Sequence, residues 1–210
     1  MKLLDIWINL QHEINFFNKR NFEDIPRVPG VYAWFYPLQI CSFVQEEFFN
    51  DIANVFDYDA NDENGIPQIE IEETLSWRKV LMRVLIQNKN PNYEQFRLEW
   101  ENACRNEESF KSLRNTFYKS TILMPPLYVG KTDNLYRRCH EHLYSRTNSN
   151  SFSSRFCEQA SKKNFQAATT VSDLLLICIQ TRHGQDFKGD FEGMIEMFLK
   201  NLTKPVYSMK

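Results

Sequence analysis

The sequence predicts an α+β protein in which three short strands alternate with helices and an inserted, mainly helical subdomain interrupts them. Three runs rich in aromatic and β-branched residues have the length and composition of strands, within 27–37, 126–130 and 173–180. Longer segments between and around them repeat apolar residues every three or four positions, which is the period of an amphipathic helix. The long interval 37–125 separates the first two strands and is the predicted insertion.

Chain length and composition limit the class of protein. The chain has 210 residues, 42% of them hydrophobic and 14% aromatic, which suffices for one core and an inserted subdomain. No run reaches the apolar length of a membrane helix, and "MKLLDIWINLQHEINFF" predicts an amphipathic helix over 3–19 rather than a signal peptide. The five cysteines are odd in number and far apart. We therefore expect a reduced, cytoplasmic protein without a membrane segment.

The remaining elements are predicted in chain order. Residues 42–75 are acidic and irregular, with runs such as "DYDANDENG". Residues 76–118 show the helical period in Val80, Val84, Phe96 and Trp100. Further helices are predicted after the strand at 126–130, where Thr132 or Asp133 can cap the first turn, and then over 153–163 and 187–202.

Charge is distributed unevenly along the chain. The net charge is −2, yet residues 28–77 hold ten Asp or Glu residues and no Lys or Arg, so the part after them is net positive. A basic region of this extent suits a polyanionic partner. Charge alone leaves open whether the basic and acidic regions bind partners or are only solvated surfaces.

The segment "LYVGKTDNLYRRCHEHL" at 127–143 concentrates the side chains that can do chemistry. Its Gly-Lys-Thr is not a phosphate loop, because the loop needs a glycine where Pro125 stands, and proline has no N–H to offer a phosphate. A zinc site is also disfavoured, because structural zinc motifs use two close ligand pairs and the candidates do not form them: Cys139, His140, His142 and Cys157.

The motifs and their order resemble the GIY-YIG nuclease family. "GVY" at 30–32 stands for the first signature triplet and "YVG" at 128–130 for the second. Arg138 and His142 follow at the spacing of the family's arginine-histidine helix, and a C-terminal helix supplies Glu196. Either triplet alone would be weak, but five elements in order and register are specific.

The resemblance implies a fold and two departures from it. It implies that the three strands form one small mixed or antiparallel sheet flanked by helices, built from residues 1–36 and 126–210. The acidic and helical segment 37–125 then replaces the family's short hairpin between the first two strands. The tail "KPVYS" carries Ser208 where the family usually has an asparagine.

The resemblance also implies an activity, namely Mg²⁺- or Mn²⁺-dependent hydrolysis of DNA, as in a restriction or phage-defence endonuclease. Glu196 is the implied metal ligand, with Glu192 as second choice. The implied catalytic residues are Tyr32, Tyr128, Arg138, His142 and Glu196, and those implied to bind substrate are Gly130, Lys131 and Arg137. DNA is the expected partner, RNA stays open, and a homodimer is an option. The alternative is a catalytically inactive module of the same fold that binds nucleic acid or protein.

The chemistry explains why these residue types are needed. Hydrolysis of a phosphodiester requires an activated water, neutralisation of charge on the phosphate oxygens, and help for the leaving oxygen. Tyr32 would be the general base or its partner, and since a tyrosine pKa is ordinarily near 10, we expect Lys131, Arg138 and the metal to lower it. Arg138 can grip two phosphate oxygens with its planar fork. His142 would accept a proton or bind phosphate.

Overall fold

The computed structural model describes residues 14–56, 68–75, 78–85, 93–144, 151–181 and 190–207, and the fold is α+β. The strands are β1 (Ile14–Phe17), β2 (Gly30–Phe35), β3 (Gln68–Leu75), β4 (Arg78–Leu85), β5 (Tyr128–Thr132) and β6 (Leu175–Gln180). The α-helices are α1 (Gln45–Val55), α2 (Tyr93–Cys104), α3 (Glu107–Ser120), α4 (Leu135–Tyr144), α5 (Phe152–Lys163) and α6 (Phe191–Thr203). None of these described helices is long and apolar enough to span a membrane.

The chain divides into two compact units. Residues 1–39 and 116–210 form the first unit, and residues 40–115 form the second. The first unit contains a four-stranded sheet with α4, α5 and α6. The second contains α1, the two-stranded sheet of β3 and β4, α2 and most of α3, so its residues enter the chain between β2 and β5.

The four-stranded sheet is antiparallel throughout, with strand order β1-β6-β2-β5. Its central strand β2, "GVYAWF", is aromatic and β-branched, as suits a strand that is buried along most of its length. Tyr32 lies opposite Gly130 of β5 and opposite Cys178 of β6. Residues directly opposite each other share a face of the sheet. This register therefore fixes which side chains meet Tyr32.

The fourth strand, β1, corrects two predictions at once. Residues 14–17 form a strand in which Ile14 pairs with Ile179, so the predicted helix over 3–19 is wrong there, and its earlier residues lie outside the described ones. The physical reason is that "INFF" combines β-branched and aromatic residues and satisfies its backbone against β6. The sheet therefore has four strands instead of the expected three.

The second unit differs from its prediction in two places. The segment 42–75 is not irregular throughout, because it includes α1 and β3. The predicted helical stretch 76–118 fails over 78–85, which is β4, with Leu85 opposite Gln68 of β3. The apolar residues of "RKVLMRVL" fit more than one period, and pairing with β3 decides between them. Helices α2 and α3 confirm the helical period over 93–104 and 107–118, whereas 76–77 and 86–92 lie outside the described residues.

Helix α4 lies close to β2 because the first residue of that strand is a glycine. A Cβ atom at Gly30 would lie 2.4 Å from the carbonyl oxygen of Ile179 and 2.7 Å from Cδ1 of Leu135, the first residue of α4. The helix is capped by Asn134, whose Oδ1 accepts from the Arg137 N–H at 3.0 Å, and not by Thr132 or Asp133 as predicted. Cap and glycine together fix where α4 begins and how near it lies to the sheet.

Candidate active site

Tyr32 and His142 form a buried hydrogen-bonded pair at the centre of the first unit. Tyr32 Oη lies 2.8 Å from His142 Nε2, and the two residues are 1% and 5% exposed. His142 reaches the sheet because it lies on the buried side of α4, seven residues after the buried Leu135. The edge of its ring packs against Tyr128 at 5.2 Å and against Phe152 at 5.7 Å between centroids. The imidazole is therefore held in one orientation by aromatic neighbours.

Gly130 provides the room that the Tyr32 hydroxyl occupies. A Cβ atom at this position would lie 2.5 Å from Tyr32 Oη and 3.0 Å from Tyr128 Cε1. No side chain fits at those distances without moving the tyrosine ring. Sequence reasoning assigned Gly130 to substrate binding; in the structure it lies beside the ring of Tyr32, where its missing side chain leaves the hydroxyl its place.

The protonation states of the pair follow from burial. Burial, reinforced by the nearby Arg138 charge, lowers the His142 pKa from 6.5 to about 3. His142 is therefore neutral, and in the tautomer with its proton on Nδ1 the Nε2 atom accepts the hydrogen bond that the Tyr32 hydroxyl donates. Burial also raises the Tyr32 pKa well above 10, and the lowering effect of Arg138 is smaller. Arg138 lowers the Tyr32 pKa as expected, but burial outweighs it and the net shift is upward.

Arg138 sits beside the pair as a stable cation. Its guanidinium lies near Tyr32, where its charge favours the ionised hydroxyl, and its Nη1 donates to Glu141 Oε2 at 2.7 Å. Burial by itself would lower the Arg138 pKa, but the Glu141 hydrogen bond and the neighbouring tyrosine hydroxyls raise it on balance. The side chain remains partly exposed. It can therefore reach an anion that approaches from solvent while staying next to the Tyr32 hydroxyl.

A second group of charged side chains surrounds the start of α6. Lys131 forms an ion pair with Asp190, which also caps α6 by accepting from the Gly193 N–H at 2.8 Å. Glu192 accepts a hydrogen bond from the Thr181 hydroxyl at 2.5 Å. The hydrogen bond to Asp190 raises the Lys131 pKa, and the charges of Glu196 and Glu192 add smaller contributions in the same direction. Lys131 is thus a cation among carboxylates.

Helix α6 has the reverse of the usual amphipathic arrangement. Its Glu192 is buried and the side chain of Glu196 is only 18% exposed, whereas Phe198 is 61% exposed and Met194 is exposed too. A surface helix normally turns its apolar side to the core. In α6 the carboxylates take that place, and the helix packs against β5 and β2. Carboxylates directed inward, next to a lysine, are typical of a site that binds a cation or a charged substrate.

The charged group lines a cleft of about 270 Å³ at the end of β5. The lining residues are Pro29, Lys131, Thr132, Asp133, Asp190 and Glu192. Lys131 directly follows Gly130, and successive side chains of a strand point to opposite faces. Strand β5 therefore contributes Tyr128 and Gly130 to the Tyr32 face and Lys131 to the cleft.

The structure thus separates the predicted site residues into two groups. It brings together Tyr32, Tyr128, Arg138 and His142 on one face of the sheet. Glu196 belongs to the other group: among the described contacts it pairs with Lys200 at 2.9 Å and contributes to the field at Lys131. Strand β5 links the two groups.

The donors at Glu196 fit a magnesium ion. Mg²⁺ commonly takes only one or two protein carboxylates and fills its other positions with water and substrate phosphate. The part of the chain that the structure describes contains no group of three or more His, Cys, Asp or Glu side chains able to hold a metal. Glu196, with Glu192 one turn earlier, supplies the smaller set that Mg²⁺ accepts. A bound cation would replace the Lys200 ammonium at the Glu196 carboxylate.

Two residues of the site were missed by sequence reasoning, and one predicted residue is placed differently. Asp190 could have been found, because an aspartate just before a helical run is a preferred N-cap. Nothing in the sequence marks Thr181 as the partner of Glu192. Arg137 lies on the exposed side of α4 and pairs with Asp133 and Glu141 at 2.9 and 3.4 Å. Such surface pairs are weak, so Arg137 can exchange its partners for a phosphate.

Comparison with known proteins adds no relative. No family model, no curated protein sequence and no solved structure matches this chain. Function is therefore inferred from the site itself. It has a Tyr–His pair with a partly exposed arginine on one face of the sheet, and inward carboxylates with a lysine beside the same edge strand.

Proposed function

We propose that this protein is a Mg²⁺-dependent endonuclease of the GIY-YIG type that hydrolyses phosphodiester bonds in DNA. The observation that carries the proposal is the 2.8 Å hydrogen bond between Tyr32 and a neutral His142, with the charge of Arg138 close to the same tyrosine. A neutral imidazole bonded to a hydroxyl can accept its proton, and an anionic phosphate bound beside Arg138 would favour this by raising the low His142 pKa. A guanidinium beside the pair can hold that phosphate. These are two of the three needs of phosphodiester hydrolysis.

The Tyr32–His142 pair supports a relay of the proton. As the attacking water gives a proton to Tyr32 Oη, the hydroxyl proton of Tyr32 passes to His142 Nε2. Tyr32 then never exists as a free tyrosinate, which accords with its raised pKa. Arg138 binds the phosphate oxygens through its planar fork, and this interaction strengthens as negative charge builds up on them. Tyr128 holds the imidazole ring in place.

Glu196 would hold the magnesium ion, which when bound supplies charge neutralisation at the phosphate. The neighbouring residues position the charged side chains of the cleft. Thr181 fixes Glu192 by its hydrogen bond, and Asp190 orients Lys131. Lys131 is a cation, and a phosphate oxygen can take the place of the Asp190 carboxylate. These contacts support a substrate-binding role for Lys131.

The wider setting that we propose is restriction or phage defence in a reducing cytoplasm. All five cysteines of the chain are free, which suits such a compartment. The fold we propose is a GIY-YIG-like domain with one additional edge strand, β1, and with the second unit inserted between β2 and β5. DNA is the proposed partner.

A second candidate function has one observation in its favour. Tyr32 is only 1% exposed, and the described contacts of Glu196 include Lys200 and not Tyr32. A protein of this fold that binds nucleic acid or a protein partner without cleaving anything would keep the Tyr–His pair as a buried structural hydrogen bond. It would bind DNA through Arg138 and Lys131 and leave the DNA intact.

A plasmid assay tests the proposal. Supercoiled DNA is incubated with the protein and Mg²⁺, and nicked and linear products are followed with time. We expect cleavage by the natural protein, loss of cleavage in EDTA, and loss in Glu196→Gln. The matched control is Glu158→Gln on α5, an exposed glutamate paired with a lysine one turn later, as Glu196 is paired, and it should cleave normally. Binding of DNA without cleavage in Mg²⁺ or Mn²⁺ would establish the second candidate instead.

A further inference from the structure

Helix α4 carries a stack of planar groups on the side away from Arg138. Tyr136, His140 and Tyr144 follow one another at four-residue spacing, and Tyr136 is about 200° around the helix from Arg138. The rings of Tyr136 and His140 stack at 4.0 Å between centroids, and those of His140 and Tyr144 lie at 5.4 Å. The Arg27 guanidinium lies 4.7 Å from the Tyr136 centroid. Four planar groups thus stand in series.

The inner members of the stack are fixed and the outer one is open. The Tyr136 hydroxyl donates to Glu23 Oε2 at 3.0 Å, and His140 Nε2 donates to the Phe22 carbonyl at 3.3 Å. The short turn that contains both acceptors therefore holds these rings in position. Tyr144 is 68% exposed. The series ends in a cation at one side and in a tyrosine face open to solvent at the other.

We propose that this stack binds the unpaired bases of single-stranded DNA, with one base stacked on the outer face of Tyr144. Aromatic side chains hold bases of any sequence in this way, because every base has a flat face. A ring already held by stacked neighbours loses little freedom when a base is added, which favours binding. The inference rests on the proposed function, because it takes DNA as the substrate. It adds that the bound DNA has unpaired bases.

The position of Arg137 favours an unpaired strand over a protein partner. Going around α4, Arg137 stands between Tyr136 and Arg138, at 100° from each. A single strand held by Arg138 at one phosphate can pass Arg137 at the next and bring a base to the stack. Bases inside a duplex are already stacked on each other and offer no face. The substrate class is therefore DNA with unpaired nucleotides beside the cleaved bond.

Binding measurements in EDTA test the inference without cleavage. The probes are a labelled oligothymidine of about 12 nucleotides and a labelled abasic deoxyribose-phosphate chain of equal length, which carries the same phosphates without bases. We expect fluorescence anisotropy to show the oligothymidine bound at least about fivefold more tightly, from the value of one stacked base. Tyr144→Ala should remove that preference, and Tyr144→Phe, which keeps the ring, should retain it.

The control variant is Phe198→Ala on α6, an aromatic residue that is similarly exposed but lies outside the stack. It should leave both affinities unchanged. Equal affinity of the natural protein for the two probes would overturn the inference, and so would a preference that Tyr144→Ala leaves intact. Plasmid cleavage without a base preference would contradict the stack and leave the nuclease proposal standing. A base preference without plasmid cleavage would support the stack and contradict the nuclease proposal.

Discussion

At the scale of single residues, the Tyr32 hydroxyl has its place because of three neighbours. Gly130 leaves the space for it, His142 accepts its hydrogen bond at 2.8 Å, and the charge of Arg138 lies nearby. Each neighbour acts on a different property of the hydroxyl, namely its position, its hydrogen-bond acceptor and its electrostatic environment. Substitutions at Gly130 and at His142 test the first two contributions separately.

Gly130→Ala should displace the Tyr32 ring. The added methyl would lie 2.5 Å from Tyr32 Oη, and overpacking of this kind costs about 1–3 kcal/mol of unfolding free energy. We expect a folded but less stable protein whose DNA cleavage is lost and whose DNA affinity is nearly kept. Chemical denaturation and cleavage assays check this. Unchanged cleavage would mean that the ring can move without consequence.

His142 should make the protein acid-sensitive. Its pKa in the folded state is about 3, below the 6.5 of an unfolded chain, so unfolding takes up a proton as the pH falls through this range. The resulting stability is complete above pH 6.5 and is lost as the pH falls toward 3, by about 2 kcal/mol between pH 7 and 5.

Denaturation of the natural protein and of His142→Gln at both pH values measures this contribution. The variant, which has no titrating group at this site, should lose less stability on acidification, and the difference should be about 2 kcal/mol. Equal losses in both proteins would show that His142 is not held neutral in the folded state.

At the scale of elements, helix α6 is positioned by Asp190. This residue caps the helix and pairs with Lys131, and substitution can separate the two roles. Asp190→Asn keeps a good cap and removes the charge, whereas Asp190→Ala removes both. We expect Asp190→Asn to be nearly as stable as the natural protein, because exposed ion pairs are worth at most about 1 kcal/mol.

Asp190→Ala should be less stable by about 0.5–2 kcal/mol, the range for a lost N-cap. Thermal and chemical denaturation of both variants checks this. Because both variants release Lys131, both should bind DNA more tightly than the natural protein at low salt. DNA affinity below that of the natural protein in Asp190→Asn would contradict a substrate-binding role for Lys131.

The elements also show what the sequence could and could not predict. Strand β2 was predictable because an aromatic and β-branched run follows a Pro-Gly turn, and helix α6 because its apolar residues recur at helical spacing; helix α5 was also placed correctly. Strand β1 was not, because "INFF" continues an apolar pattern that also suits a helix, and its partner β6 lies far away in the sequence. Strand β4 failed for the same reason: pairing with β3 overrode a local pattern.

The candidate site, like the elements, was predictable only in part. That Tyr32, Tyr128, Arg138 and His142 meet was expected from the resemblance. The sequence itself carries only the helical spacing of Arg138 and His142, because the register of β2 with β5 is set by tertiary pairing. The raised pKa of Tyr32 does not follow, because burial is a property of the packed core and outweighs the cation that sequence reasoning counted. The ion pair of Lys131 with Asp190 depends on where α6 starts over the sheet.

At the scale of the whole molecule, the second unit is acidic overall, yet part of it carries exposed basic side chains. Its helices α2 and α3 and the turn between them carry exposed basic residues, among them Arg97, Arg105, Lys111 and Arg114. We expect this helical part, and not the acidic part, to bind DNA phosphates. Removal of one basic side chain that binds a phosphate lowers the salt dependence of binding by about one unit in the log–log slope.

A salt titration of DNA affinity tests this expectation. The double variant with Arg105→Ala and Lys111→Ala should have a slope smaller by about two units than the natural protein. Glu107→Ala together with Glu108→Ala, in the same stretch of chain, should not reduce the slope. An unchanged slope in the basic double variant would remove the second unit from the DNA interface and favour a role in dimerisation.

The central claim is that the Tyr32–His142 pair moves a proton during hydrolysis. Single-turnover cleavage at saturating DNA tests it most directly, with Tyr32→Phe compared to Tyr128→Phe as the matched tyrosine control. We expect Tyr32→Phe to slow cleavage by about 10²–10⁴-fold with unchanged DNA affinity, which is the range for a lost general base, and Tyr128→Phe to have a much smaller effect. A Tyr32→Phe rate within a few-fold of the natural rate would contradict the claim. Both tyrosines would then be residues that only pack the core.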